Sequence, residues 1–369
     1  MDHSKKILIL YASAGHGHEK AAKAVLEACL ESGFGAVAVD TISLAPGFFG
    51  KLYREVYLVQ IKYVPWLWGV FYYSFDVGLV YKLIRWVRRL MNFMTSERLE
   101  RLILDEKPDT IIATHFLSVE VASRMKEKGK TSAKIISVIT DYLPHHVWTA
   151  DYVDDYVVAL PETKKVLTDW GVSEDKIKVI GIPVEVKFME NISEASARRL
   201  LKLEPTLFTV LITSGGAGIG SMSGIIKSLI ALNKNIQILA VCGTNKSLLQ
   251  ELGSLSVAYP SLKVFGFINN MQELMASSDL VIGKGGGLTI TESFSQGKPI
   301  ILFQSIPGQE ARNAFCVGKY GAGFIADSVN KVALKVAELS DSPEKLELMK
   351  KGVASMSRKE SARQISRLA

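Results

Sequence analysis

Little of this 369-residue chain is set aside for cross-linking, for holding metal or for crossing a membrane. Its three cysteines, Cys29, Cys242 and Cys316, are odd in number and scattered, which excludes a disulfide framework and gives no zinc-ligand spacing. No stretch reaches the roughly 18 uninterrupted apolar residues of a spanning helix. The amino terminus, MDHSKKILILYA, holds an apolar run of only six residues, too short for a signal peptide, so the protein is expected in the cytoplasm. No Asp-x-Asp pair occurs, and Asp141 and His145 have no third ligand at usable spacing; neither a metal nor another cofactor is expected. A net charge of +7 is modest for the length, and no nucleic-acid partner is expected. With 22% charged residues there is no room for extensive disorder, and 48% hydrophobic residues can build two α/β domains with separate cores.

The chain is organised around Asp279 to Asn313. Leu280 to Ile282 suits a buried parallel strand, and Gly285, Gly286 and Gly287 follow at its carboxyl end. Glycines let the backbone approach an anion closely and offer it N–H groups. Thr289 to Ser295 reads as a helix whose amino end carries partial positive charge, so Gly286 to Thr289, including Gly287 and Leu288, form a candidate phosphate cradle. Glu292 lies one turn in, where a carboxylate can accept hydrogen bonds from two vicinal sugar hydroxyls. A second strand, Pro299 to Phe303, runs into another polar turn that contains Gln309 and Glu310. Glycine turns also serve simple chain reversal. Two polar turns on one edge, with these carboxylates and amides, point instead to a nucleotide-sugar site.

Earlier in the chain, Ile7 to Tyr11 delivers Gly15-His16-Gly17-His18 to the start of an Ala-rich helix, Lys20 to Glu31. This spacing is not the dinucleotide fingerprint. A histidine at a strand-to-helix turn can be a neutral base at cytosolic pH, and His18 and His16 compete for that role. Asp109 to His115, Lys134 to Thr140 and Tyr156 to Leu160 read as further strands, the last closing the first half. Asp141, just beyond the second of these, suits the orientation of a base or of an acceptor hydroxyl. Leu207 to Thr213 opens the second half and leads to Gly215 and Gly216, another amide-rich turn. Phe267 and Ile268 follow Lys263 to Phe265, where an aromatic face can cover a base while backbone pairs with its edge. Beyond Phe324 the chain reads as helical and polar.

Between Leu44 and Met94 stand 14 of the chain's 32 aromatic residues, with seven Lys or Arg against two acids. Within it, Val77 to Met94 has the pattern of a basic amphipathic helix, and Trp66, Trp68 and Trp86 suit a headgroup zone. This composition points to a surface that meets something both apolar and anionic, an anionic membrane; the alternative is a helical insertion packed on its own domain.

The stretch GFINNMQELMASSDLVIGKGGGLTITESFSQGKPIILFQSIPGQEARNA resembles the donor-nucleotide region of the monogalactosyldiacylglycerol synthase and processive diacylglycerol glucosyltransferase family, related to the GlcNAc transferase of peptidoglycan synthesis. The resemblance continues through Gly-x-Gly-His at His18, through T-D-Y-x-x-H-x-x-W at Asp141, and through LYREVYLVQIKYVPWLWGVFYYSF on the acceptor side. Gly181-Ile182-Pro183-Val184 also matches, although Glu185 stands where many relatives carry an arginine.

The resemblance implies a GT-B fold, two Rossmann-like domains facing across a cleft. Residues 1–185 would form the acceptor and membrane-facing domain with the aromatic basic stretch 44–94. Residues 186–205 would be a linker, 206–340 the UDP-sugar domain, and 341–369 terminal helices returning to the first domain. It further implies an inverting transfer of hexose from UDP-glucose or UDP-galactose to diacylglycerol, giving β-monoglycosyl diacylglycerol, by a protein peripheral on the inner face of the membrane. In that scheme His18 is the base and Phe267 lies against uracil. Another lipid-linked acceptor, or a UDP-sugar epimerase on the same scaffold, remain alternatives.

Overall fold

The computed structural model describes residues 5–13, 16–44, 65–77, 96–213 and 221–369, and they divide into two compact units. Gly215, Gly216, Trp86 and nearly all of the amphipathic pattern at 77–94 lie outside the described residues.

The first unit is built on six parallel strands: β1 (Lys6–Tyr11), β2 (Gly35–Asp40), β3 (Thr110–Ala113), β4 (Lys134–Val138), β5 (Asp155–Val158) and β6 (Ile177–Val179), in spatial order β2-β1-β3-β4-β5-β6. Central strands such as Ile7–Leu10 and Thr110–Ala113 are buried on both faces, which is why they read as unbroken apolar runs. Helix α1 (His16–Glu31) packs Ala22, Val25 and Cys29 onto one face beside Ile7 and Ile9. Also in this unit are α2 (Pro65–Phe75) and α3 (Phe116–Glu127). The chain leaves β1 for β2 on one side and reaches β3 on the other, so a crevice opens at the carboxyl ends of β1 and β3. β6 is a correction to the expectation that Tyr156 to Leu160 closes the sheet. It is three residues long, on the edge and half-exposed, so no apolar run announces it.

A second parallel sheet holds β7 (Phe208–Thr213), β8 (Ile236–Val241), β9 (Leu262–Phe265), β10 (Leu280–Gly283), β11 (Ile300–Phe303) and β12 (Gly323–Ala326), in order β12-β11-β10-β7-β8-β9. Its reversal point lies between β7 and β10. β12, another edge strand with one partner, stands where helix was expected beyond Phe324. The segment read as a linker gives this unit α4 (Glu194–Leu200), whose Arg198 is buried, donating to the Ser277 carbonyl at 3.1 Å and pairing with Asp279 at 2.7 Å. Helices α5 (Gly287–Ser295), α6 (Gln309–Lys319) and α7 (Pro343–Met356) follow along the chain. α7 stays here because Gly352 packs directly against the Tyr320 carbonyl.

Two short pieces belong to the first unit: Ile306–Gln309, the turn after β11, and Arg358–Ala369 with α8 (Ser361–Ser366). Ile365 joins the core of Ile7 and Ile9, and the Leu368 and Ala369 carbonyls accept hydrogen bonds from Lys134 at 2.6 Å and Lys5 at 3.0 Å.

Candidate functional site

At the crevice of the first sheet, His18 stands on the opening turn of α1, half-buried. Its Nδ1 lies 2.7 Å from the Thr114 carbonyl, at the end of β3, and 3.1 Å from Thr140 Oγ1, just past β4. A carbonyl only accepts, so Nδ1 carries the proton and Nε2 carries the lone pair. The Thr114 hydroxyl donates back to the His18 carbonyl at 2.9 Å. The ring meets His115 edge-on at 4.8 Å and lies 6.3 Å from the buried Trp148. Loss of water among these neighbours pushes the His18 pKa down to about 4, against the smaller opposing effect of its bond to Thr114. The same desolvation, with a contribution from His18, holds His115 well below the ordinary imidazole range. Both rings are therefore neutral at physiological pH. His16 is exposed at the first residue of the helix.

Asp141 follows Thr140 directly and is half-buried. His145 uses both nitrogens structurally: Nδ1 accepts from the Val147 N–H at 3.1 Å, and Nε2 therefore donates to the Tyr72 carbonyl at 2.8 Å. Among the described residues no group of three or more His, Cys, Asp or Glu is placed to hold a metal ion.

At the reversal point of the second sheet a concavity is lined by Thr213, Ser221, Gly283, Lys284 and Gln304, among others. Gly286 caps α5 with no side-chain hydrogen bond, leaving the N–H groups of Gly287, Leu288 and Thr289 at a helix amino end without a competing cap. Glu292 is buried on the same helix. The two polar turns touch: a Cβ on Gly285 would lie 2.5 Å from the Glu310 carbonyl oxygen and 2.9 Å from Ser305 Oγ, and Asn313 donates to the Gly285 carbonyl at 3.0 Å. Ser305 Oγ is itself buried with no hydrogen-bond partner among the described residues. Gln309 and Glu310 open α6. Phe267, with Ile268 beside it, lies just past β9 and is 66% exposed, so its ring is not part of the core.

The structure thus joins His18 to Thr114 and Thr140, with Asp141 next in sequence, and brings the turn before α5 against the turn that opens α6; Phe267 and Ile268 stand apart from both sets at the end of β9. Sequence reasoning missed Thr114, Thr140, His115 and Trp148 around the imidazole, and Lys284 and Ser305 around the glycines. Lys284 was legible in principle, as the one cation inside Gly283-Lys284-Gly285-Gly286-Gly287.

Two parallel six-stranded sheets of this kind are the GT-B architecture of glycosyltransferases. MurG of Acinetobacter baumannii superposes with a TM-score of 0.66 at 13% identity, covering 99% of both chains. The UDP-GlcNAc 2-epimerase of Neisseria meningitidis, bound to UDP-GlcNAc, gives 0.63 at 13% over 98% of this chain and 99% of that one. At such identities the likeness establishes fold alone, and one scaffold carries both a transferase and an epimerase. Sequence decides between them. Residues 18–184 match the monogalactosyldiacylglycerol (MGDG) synthase family and residues 209–367 the glycosyltransferase family 28 C-terminal domain. The processive diacylglycerol beta-glucosyltransferase of Bacillus pumilus is 31% identical over 370 residues, 99% of this chain and 94% of that protein. The chain belongs to this family of glycosyltransferases, and it is a transferase that uses a UDP-sugar.

Proposed function

We propose that this enzyme transfers glucose or galactose from its UDP derivative to the free hydroxyl of diacylglycerol, with inversion, giving β-monoglycosyl diacylglycerol. The observation that carries the mechanism is the tautomer of His18, tied at Nδ1 to the Thr114 carbonyl and left with a basic Nε2. As the acceptor oxygen bonds to C1 of the sugar, its proton passes to Nε2, and the bond from C1 to the diphosphate oxygen breaks with its electron pair going to UDP. Asp141 orients the acceptor hydroxyl. Negative charge developing on UDP meets the amide groups at the start of α5 and the ammonium of Lys284, fixed donors that need little rearrangement as the bond breaks. Phe267 and Ile268 take the base, Glu292 the ribose, and Gln309 and Glu310 the sugar. Gly215 and Gly216, outside the described residues, belong to the same reading as a further amide turn. No step requires a metal.

A lipid acceptor requires access to a bilayer, on which the enzyme would sit peripherally at the inner face of the cell membrane. Among the described residues no helix is long and apolar enough to cross a membrane. On α2, Trp66, Val70, Tyr73 and the following Val77 are exposed and share one stripe, Trp66 to 64%. Tryptophan and tyrosine on such a stripe suit a headgroup zone, and anionic lipid suits the basic residues that flank α2 in sequence.

The test is to incubate the purified protein with labelled UDP-glucose or UDP-galactose, with and without diacylglycerol vesicles, and to read the lipid fraction by mass spectrometry and NMR. A β-linked monoglycosyl lipid is expected from one donor. Absence of lipid product from both, or turnover of the sugar nucleotide alone, overturns the assignment; the second outcome is what an epimerase would give.

A further inference from the structure

Next to the exposed stripe of α2, about 100° round the helix, lies a second stripe that is not free. It consists of Gly69, Tyr72 and Asp76. A Cβ on Gly69 would lie 2.8 Å from Cβ of Pro307, and a Cβ on Gly308 would lie 2.9 Å from Cγ of Tyr72 and 3.2 Å from both its Cδ atoms. Helix and turn are thus in backbone-to-ring contact, with glycine on each side making the approach feasible. Gly308 has φ +101°, a conformation that favours glycine, so the turn is shaped as well as packed.

The gripping face is itself anchored. His145 donates from Nε2 to the Tyr72 carbonyl at 2.8 Å and packs its ring against the Tyr72 ring at 4.5 Å. Asp76 accepts from the His146 backbone N–H at 2.9 Å and lies 2.9 Å from His146 Nδ1, and the His146 ring stacks on Trp170 at 3.7 Å. These contacts tie α2 to the segment after β4. The turn Ile306–Gln309, which follows β11, belongs to the first unit and meets it at Gly69 and Tyr72. The turn ends at Gln309, the first residue of α6.

We propose that α2 positions the donor's sugar: Gly69 and Tyr72 hold Pro307 and Gly308, and through that turn set where Gln309 presents its amide. The inference rests on the reading of Gln309 and Glu310 as sugar contacts. It goes beyond that reading by naming Gly69 and Tyr72, from a segment otherwise given to the lipid, as positioning residues for the nucleotide sugar. Because the hold acts at the hexose end of the ligand, displacing it weakens UDP-sugar while sparing UDP, whose base, ribose and phosphates are assigned to β9 and α5.

Gly69→Ala is the sharpest variant, since alanine forms helix better than glycine and the added methyl strikes Pro307 rather than the helix. Tyr72→Ala removes the hold by the opposite route, and Tyr72→Phe keeps the ring. Steady-state kinetics with the donor the wild type uses, with UDP as competitive inhibitor, read the effect. Expected are a rise in KM for UDP-sugar of about five- to tenfold in Gly69→Ala and Tyr72→Ala, with the UDP inhibition constant unchanged and Tyr72→Phe within about twofold of wild type. Equal weakening of UDP and UDP-sugar, or wild-type KM in both Gly69→Ala and Tyr72→Ala, overturns the proposal. Failure of the wild type to bind UDP at all is a separate result, and it overturns the donor-site reading beneath.

Discussion

A histidine tied at one nitrogen has one nitrogen left for chemistry, and in this chain the tie runs to residues far away in sequence. His18→Ala is expected to lower kcat by about 10²- to 10⁴-fold, the usual contribution of a general base, while UDP still binds. Titration gives a second handle. The His18 pKa lies at about 4 in the folded chain, so the acid limb that kcat/KM owes to this ring should be centred near there and absent between pH 5 and 8. A limb near the unperturbed value of about 6.5 would show a solvated imidazole and a different base. The same shift bears on stability. His18 and His115 have folded pKa values below their unfolded ones, so the unfolded chain binds more protons as pH falls. Their stabilising effect is fully present above pH ~6.5 and is lost progressively as pH drops toward ~4, which denaturant titration across that window would detect. Gly285 is the other decisive position, because backbone and not a flexible side chain stands in the way of any Cβ. Gly285→Ala should cost roughly 1–3 kcal/mol or displace the Glu310 turn, visible as a lowered melting temperature or a raised KM for UDP-sugar.

At the scale of the element, α2 shows why composition points to a surface and leaves its geometry open. Trp66 and Tyr73 fall on a common stripe by helical spacing, and replacing both by serine should weaken cosedimentation with anionic diacylglycerol vesicles while leaving affinity for UDP unchanged. Unaltered vesicle binding would move the lipid contact elsewhere. The edge strands teach a related lesson. β6 and β12 each have one partner and incomplete burial, so neither needs the continuous apolar run that made β1, β3, β4, β7, β10 and β11 readable. Helix starts were also pushed outward: α1 begins at His16 rather than Lys20 and α5 at Gly287 rather than Thr289, since glycine and histidine lower propensity without preventing a first turn anchored by a buried strand.

Over the whole molecule, the chain end is a structural part of the amino-terminal sheet. Ile365 is fully buried with Ile7, Ile9 and Ala22, so Ile365→Ala should destabilise the first unit by about 2–5 kcal/mol, read as a shift in its thermal transition. An unshifted transition would mean that α8 is dispensable. The sequence alone determined the two parallel sheets and the glycine-rich amide turns, because a strand buried on both faces must be apolar throughout and a close backbone approach must lack Cβ. It could not determine what surrounds His18: Thr114 and Thr140 are 96 and 122 residues away, and no local spacing encodes a contact made by neighbouring strands. Nor could it show that Pro307 and Gly308 meet Gly69 and Tyr72. Packing of elements distant along the chain chose those partners, and with them the tautomer of the base and the hold on the turn that opens α6.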